Sequence, residues 1–257
     1  MSRTIREEQL LAELQQRGNM TIKEIAEVFQ VSEPTARRLC ASVSRNSQAV
    51  RTHGGIKYFS VAVFDYSYDT LENINIAEKQ RIARHAASMI SDKDIIFLEG
   101  GTTLHHLALA LAERLNNNDL KEVKVFTNSL NNLMTLSPLC KVTVVGGEYR
   151  PKRRDFVGYI AEKTVKNLYF QACFLGVDAI DLGEGMMATD IDTVRLDELL
   201  VTRSEKRVVL ADSSKFNHRS MLSYAAIDAA DIIITDAGIA STVRKDFLKN
   251  NINLVCV

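Results

Sequence analysis

The stretch Thr21–Arg38, TIKEIAEVFQVSEPTARR, decides how the front of this chain folds. The Thr21 hydroxyl can cap a helix while Glu24, three residues on, returns a bond to the Thr21 amide, the reciprocal pair of a capping box. Ile22, Ile25, Ala26 and Phe29 give that helix one apolar face. After the short turn Gln30-Val31, Ser32 stands at the cap of a second helix. Pro34 is tolerated there because first-turn amides have no intrahelical acceptor. Ala36, Cys40 and Val43 recur at three- and four-residue spacing and face inward, so Thr35, Arg37 and Arg38 point to another side. The motif is helix, tight turn, helix.

Upstream, Ile5, Leu10, Leu11 and Leu14 fall near helical spacing, and Gly18-Asn19 stops that helix. Downstream, AVRTHGGIKY over 49–58 places short β-prone runs around Gly54-Gly55, the pattern of a small hairpin or wing. From Met1 to Lys57 there are nine Lys and Arg against six Glu, a net +3, so the rest of the chain carries −3 of a total of zero. Global charge therefore gives no warrant for a nucleic-acid partner, whereas a basic head on an acidic body does. A helix-turn-helix lays its second helix in the major groove, which makes Thr21, Ser32, Glu33, Thr35, Arg37 and Arg38 the candidate contacts to double-stranded DNA. Arg51 and His53 would reach the backbone or minor groove from the wing.

The expected organisation is a winged helix-turn-helix over 1–57, a linker over 58–75 whose polar and aromatic mix has no clean period, and a larger domain over 76–257. In that domain helices are expected at 76–90, 103–115, 130–136, 160–168, 194–202 and 239–248. Strands are expected at 95–98, 123–126, 142–145, 172–175, 208–210, 232–234 and 253–257. Such alternation predicts an α/β fold with a mostly parallel sheet covered by helices on both faces.

Glu99–Thr103, EGGTT, sits between a strand and a helix. Its glycine backbone, the first helical amides and the Thr102 and Thr103 hydroxyls can cradle an anion, with Gly100 and Gly101 allowing close approach. Thr127, Asn128, Ser129, Gly146 and Gly147 also follow strands, and in a parallel sheet such loops gather on one edge. Asp178 after ACFLGV can accept hydroxyl hydrogen bonds from a sugar, and Lys215, with Lys79 as a weaker candidate, can supply positive charge. His105 and His106 are read as packing residues, Lys152-Arg153-Arg154 as a solvated charge run, and Leu107, Leu111 and Leu115 as core.

Taken in order, these pieces resemble the DeoR family of bacterial regulators. The resemblance rests on Arg6-x-x-x-Leu10, TIKEIAEVFQVSEPTARR, RTHGG, Glu78-Lys79, EGGTT, TNS at 127–129, Gly146-Gly147, FLGVDAID at 174–181 and ADSSKF at 211–216. Two departures stand out: Leu39-Cys40 and Ser44-Arg45 replace the family's Asp-Leu and Leu-Glu pairs. The resemblance implies a sensor domain similar to ribose-5-phosphate isomerase and coenzyme A transferases, responsive to sugar phosphates. In the isomerase pattern a glutamate base follows a Gly-rich segment; the local match is Gly185–Ile191, which puts Ile191 at the base position beside Asp190 and Asp192, so catalysis is expected to be lost.

Several classes are disfavoured. Cys40, Cys140, Cys173 and Cys256 are scattered, without C-x-x-C or a nearby histidine, and read as buried thiols in a reducing compartment; no metal or cofactor is expected. The charged opening MSRTIREEQLL is no signal peptide and no apolar run approaches a bilayer span, so the expectation is a cytoplasmic protein without a membrane partner. The leading expectation is a homo-oligomeric repressor of a carbohydrate-catabolism operon, controlled by a phosphorylated sugar. The alternative is a sugar-phosphate isomerase or transferase with an accessory DNA-binding head.

Overall fold

The computed structural model describes residues 3–44, 49–52, 54–58 and 66–257. At the front, α1 (Arg3–Arg17) ends at Gly18, whose φ of +74° suits glycine and whose amide bonds the Leu14 carbonyl at 2.9 Å. A short strand β1 (Asn19–Thr21), unforeseen in the sequence, leads into α2 (Ile22–Val28). The capping box closes as read: Glu24 N donates to Thr21 Oγ1 at 3.2 Å and Thr21 N to Glu24 Oε2 at 2.7 Å. The turn passes through Gln30 at φ 47°, and Val31 N returns to Ala26 O at 2.9 Å. Ser32 caps α3 (Glu33–Val43) by position only. Its hydroxyl pairs with Thr35 Oγ1 at 3.0 Å instead of a backbone amide.

The wing is β2 (Ala49–Thr52) against β3 (Gly55–Tyr58), antiparallel, with β1 added to the outer edge of β3. Gly55 is required by that third strand, since a Cβ there would lie 2.2 Å from the Met20 carbonyl oxygen. Leu10, Leu14, Met20, Ile25, Ala36, Cys40, Val43 and Ile56 form one core under the three helices and the wing.

The larger body runs α4 (Tyr68–Leu71), α5 (Ile76–Ser88), β4 (Ile95–Leu98), α6 (Thr102–Asn116), β5 (Lys124–Thr127), α7 (Leu130–Leu136) and β6 (Lys141–Val144). Next come the hairpin β7 (Glu148–Arg150) and β8 (Asp155–Val157), then α8 (Tyr159–Val165), β9 (Phe170–Leu175), β10 (Ala179–Asp181), β11 (Gly185–Ala188) and α9 (Ile191–Thr202). The chain finishes with β12 (Ser204–Leu210), a 3-10 turn Ser213–Lys215, β13 (Leu222–Ala225), β14 (Ile232–Thr235), α10 (Ser241–Lys249) and β15 (Leu254–Cys256). Seven strands form one parallel sheet in the order β15-β14-β12-β9-β4-β5-β6.

Period-two alternation sends side chains to opposite faces. Ile96, Leu98, Val208, Leu210 and Ile234 pack with α5, α6 and α7, whereas Phe97, Val209 and Ile233 pack with α8, α9 and α10. Two smaller pieces escape the sequence pattern: the β7–β8 hairpin and an antiparallel sheet β10-β11-β13. β10 and β11 are buried throughout, so they lack the polar alternation that marks a strand covered on one side.

The linker reading of 58–75 needs correcting at its far end. Tyr68 is buried, its amide bonds the Lys152 carbonyl at 2.9 Å and the Arg154 guanidinium lies over its ring at 4.8 Å, so 66–75 packs on the body; 59–65 lie outside the described residues. A single anchoring ring leaves no period to read. The cysteines are also less uniform than expected: Cys40 and Cys173 are buried, but Cys140 and Cys256 are half-buried. No described helix is long and apolar enough to cross a membrane.

Candidate functional site

On the head, α3 presents Ser32, Glu33, Arg37 and Arg38 to solvent while Ala36, Leu39 and Cys40 are buried beneath. Arg37 stands 3.7 Å from Glu33 one turn back, a loose exposed pair that leaves the guanidinium available to a stronger anion. Thr35 is half-buried, and Thr21, though exposed, has its hydroxyl engaged in the capping box. Arg51 lies on β2 of the wing; His53 falls outside the described residues.

In the body, β12, β9 and β4 are neighbours at the middle of the sheet, and the loops after their carboxyl ends enclose a hollow of about 780 Å³ including its open mouth. Ligands favour this place in open α/β sheets. Of the expected ligand residues, Gly100, Gly101, Thr102, Thr103, Lys79, Asp178 and Lys215 line it. Gly101 caps the fifteen-residue α6 at φ 115°, ψ 161°, a conformation essentially reserved for glycine, and turns the chain so that the first amides of α6 border the hollow. Gly100 leaves room for Asp155, whose Cβ would sit 3.2 Å from an added methyl.

Lys79, on α5, is buried with Nζ donating to the Leu71 carbonyl at 2.5 Å. Burial lowers its pKa, opposed by the Asp212 carboxylate. Lys215 enters from the 3-10 turn, next to Asp212, which accepts from Asn75 Nδ2 and Ser214 N, each at 3.0 Å. Two ammonium groups and a helix N-terminus thus share one cavity, which is the charge arrangement an anion needs.

Asp178 is held by Thr189, accepting from its amide at 2.8 Å and its hydroxyl at 2.7 Å. The same hydroxyl accepts from Arg153 at 2.7 Å, and Arg153 stacks 4.0 Å from the Tyr66 ring centre. Arg153 is therefore part of the lining and not of a solvated run, while Arg154 pairs with Asp69 at 2.5 Å.

The remaining expected ligand residues do not line the hollow. Thr127, Asn128 and Ser129 are buried behind it: Thr127 Oγ1 donates to Leu98 O at 2.6 Å, Asn128 Oδ1 accepts from Gly100 N at 2.9 Å, and Ser129 caps α7. They brace the glycine loop. Gly146 and Gly147 follow the edge strand β6; Gly147 serves packing, because a Cβ there would meet the Val157 carbonyl oxygen at 2.3 Å, whereas Gly146 faces open space. His105 has both ring nitrogens engaged, by Tyr68 Oη at 2.7 Å and Thr135 Oγ1 at 3.2 Å.

Sequence reasoning missed four lining carboxyl and aromatic side chains, Tyr66, Glu99, Asp155 and Asp197. Two carried a signal: Glu99 directly follows the apolar strand IIFL, and Asp197 interrupts the apolar face Val194, Leu196, Leu200 of α9. Asp155 is gripped by Arg150 through Nε at 2.8 Å and Nη2 at 2.6 Å. Glu99 Oε2 accepts from Gly176 N at 2.6 Å, yet burial pushes its pKa up to about 8. Burial also raises Asp197 well above the carboxylate range. At the position resembling an isomerase base, Ile191 is exposed and Asp190 caps α9 while pairing with Arg150, outside the hollow.

Among known proteins, the DeoR C terminal sensor domain model matches residues 74–237 and the DeoR-like helix-turn-helix domain model residues 6–70. The lactose phosphotransferase system repressor of Lactococcus lactis is 32% identical over 250 residues, covering 96% of each chain. The glycerol-3-phosphate regulon repressor of Escherichia coli K12 is 27% identical over 256 residues, covering 99% of each. A putative aga operon transcriptional repressor of Escherichia coli O157:H7 is 28% identical over 256 residues, with 98% of this chain and 93% of that one covered. Ribose 5-phosphate isomerase A of Methanocaldococcus jannaschii is 16% identical over 55% of each chain at a TM-score of 0.42, too low to bear on fold or activity. With a helix-turn-helix head and a sensor body each matched over nearly its whole length, the chain belongs to the DeoR family of regulators.

Proposed function

We propose that the protein is a transcriptional repressor of a carbohydrate-catabolism operon whose grip on its operator is controlled by a phosphorylated sugar. The observation that carries the reading is the hollow in which Gly101, Thr102, Thr103, Lys79 and Lys215 meet at the carboxyl ends of the central strands. The phosphate sits on the first turn of α6, between the two ammonium groups, and Asp178 accepts from a sugar hydroxyl. That relatives are named for repression of lactose phosphotransferase and glycerol-3-phosphate genes supports a sugar-linked operon.

The head binds double-stranded DNA with α3 in the major groove and the wing along the backbone. Two or more copies pair their heads on operator half-sites, because one short helix gives too little affinity alone. The sugar phosphate alters DNA affinity only by the difference in its own affinity for the two arrangements, and about 1–3 kcal/mol of coupling corresponds to roughly 5- to 150-fold. The test is a thermal-shift screen over sugar phosphates followed by a gel shift on the neighbouring promoter with and without the best stabiliser. A protein stabilised by no sugar phosphate refutes the sensor assignment.

The raised pKa values of Glu99 and Asp197 favour an isomerase or transferase instead. Turnover of a pentose phosphate by the purified protein would establish that reading.

A further inference from the structure

The hollow contains two charge groups, and only one suits phosphate. Lys79 lies in the company of Asp212, Lys215 and Glu72, whereas Asp197 lies in that of Glu99, Asp178, Asp155 and Arg150. The second group is short of cations and of donors. Arg150 is committed to Asp155 and Asp190, and Arg153 to Thr189, beside Asp178 at 3.8 Å. Glu99 receives one backbone amide, and Asp197, 1% exposed on the α9 wall of the hollow, has no hydrogen-bond partner at either carboxyl oxygen among the described residues. A carboxyl group buried without donors is costly, and it retains its proton until a compensating charge arrives.

We propose that the effector is an amino sugar phosphate, its phosphate on the α6 turn and its ammonium group seated against Asp197 and Glu99. The inference rests on the sugar-phosphate reading above. An ammonium brings three donors, no acceptor and a positive charge, matching a site rich in acceptors, whereas a hydroxyl brings one donor and needs an acceptor role filled as well. A divalent cation fits less well: among the described residues no group of three or more His, Cys, Asp or Glu is arranged to hold a metal. On binding, the protonated carboxyl releases its proton to solvent and the resulting carboxylate pairs with the ammonium. The elevated pKa of Glu99, about 8, agrees with a proton being present at neutral pH.

The test is isothermal calorimetry on the full chain with glucosamine 6-phosphate against glucose 6-phosphate, and galactosamine 6-phosphate against galactose 6-phosphate. Each pair shares its phosphate and differs only by amine for hydroxyl. Charge-assisted bonds to a buried carboxylate predict that one amine binds about tenfold or more tighter than its parent. In buffers of differing ionisation enthalpy, that amine should also release more protons. Asp197→Asn, nearly isosteric and uncharged, should bring the ratio close to one. Amines that bind no tighter than their parents overturn the proposal, as does a ratio that survives Asp197→Asn. If neither amine nor parent binds while ribose 5-phosphate does, the anion reading stands and this one fails. If no sugar phosphate binds, both fail. The comparison on the unaltered protein decides the matter even if the variant does not fold.

Discussion

Replacing Gly101 by alanine tests the glycine loop most directly. At φ 115° and ψ 161° the backbone lies where an L residue is strained whatever the space around it. Space is not the obstacle, since the nearest atom to an added Cβ is Tyr66 Oη at 3.9 Å. The cost is therefore torsional, about 1–3 kcal/mol. At about 2–4 °C per kcal/mol for a domain of this size, the melting temperature of the body should fall by roughly 2–12 °C. Relief of the strain rotates the peptides that aim the α6 amides into the hollow, so sugar-phosphate affinity should drop by about tenfold or more. Gly146→Ala is the matched control. It has no positive φ and nothing within 4 Å of an added Cβ, so melting temperature and ligand affinity should stay as they were. Scanning calorimetry and titration calorimetry on both variants supply the readout. A Gly101→Ala protein that melts and binds like the parent would refute the claim that this backbone conformation builds the site.

Three further outcomes are expected. Arg37→Ala with Arg38→Ala should abolish specific operator retention in a gel shift, and the slope of log affinity against log salt should shrink by about one for each arginine that neutralises a phosphate. Gly147→Ala should destabilise the body far more than Gly146→Ala, because Cβ would lie 2.3 Å from the Val157 carbonyl, as denaturant unfolding would register. Glu24 has its pKa held below 4.5, chiefly by the Thr21 backbone amide, so its contribution to head stability is complete above that pH and disappears as the pH falls through the lowered value. Glu24→Gln should flatten that acid dependence in thermal melts followed between pH 6 and pH 3.

Much of the local structure was legible in the residues. The capping box at Thr21 and Glu24, the Pro34 helix start, the stop at Gly18 and α7 over 130–136 all depend on contacts within a few positions, where backbone chemistry is written directly in side-chain type. The glycine loop was legible for the same reason. By contrast β10 and β11, buried on all sides, showed no period, and Tyr68 is held by one long-range contact.

What the sequence by itself determined is the helix-turn-helix head, the alternating helices and parallel strands of the body, and the glycine turn after β4. Only the tertiary structure decided which strand-end loops meet. The order β12-β9-β4 brings Lys215, Asp178 and Gly101 together, while β5 and β6 hold Asn128 behind the loop and leave Gly147 at the sheet edge. It also set Asp197 and Glu99, nearly a hundred positions apart in the sequence, into one hollow with too few donors between them. Strand order is a property of long-range packing, and no spacing rule along the chain encodes it.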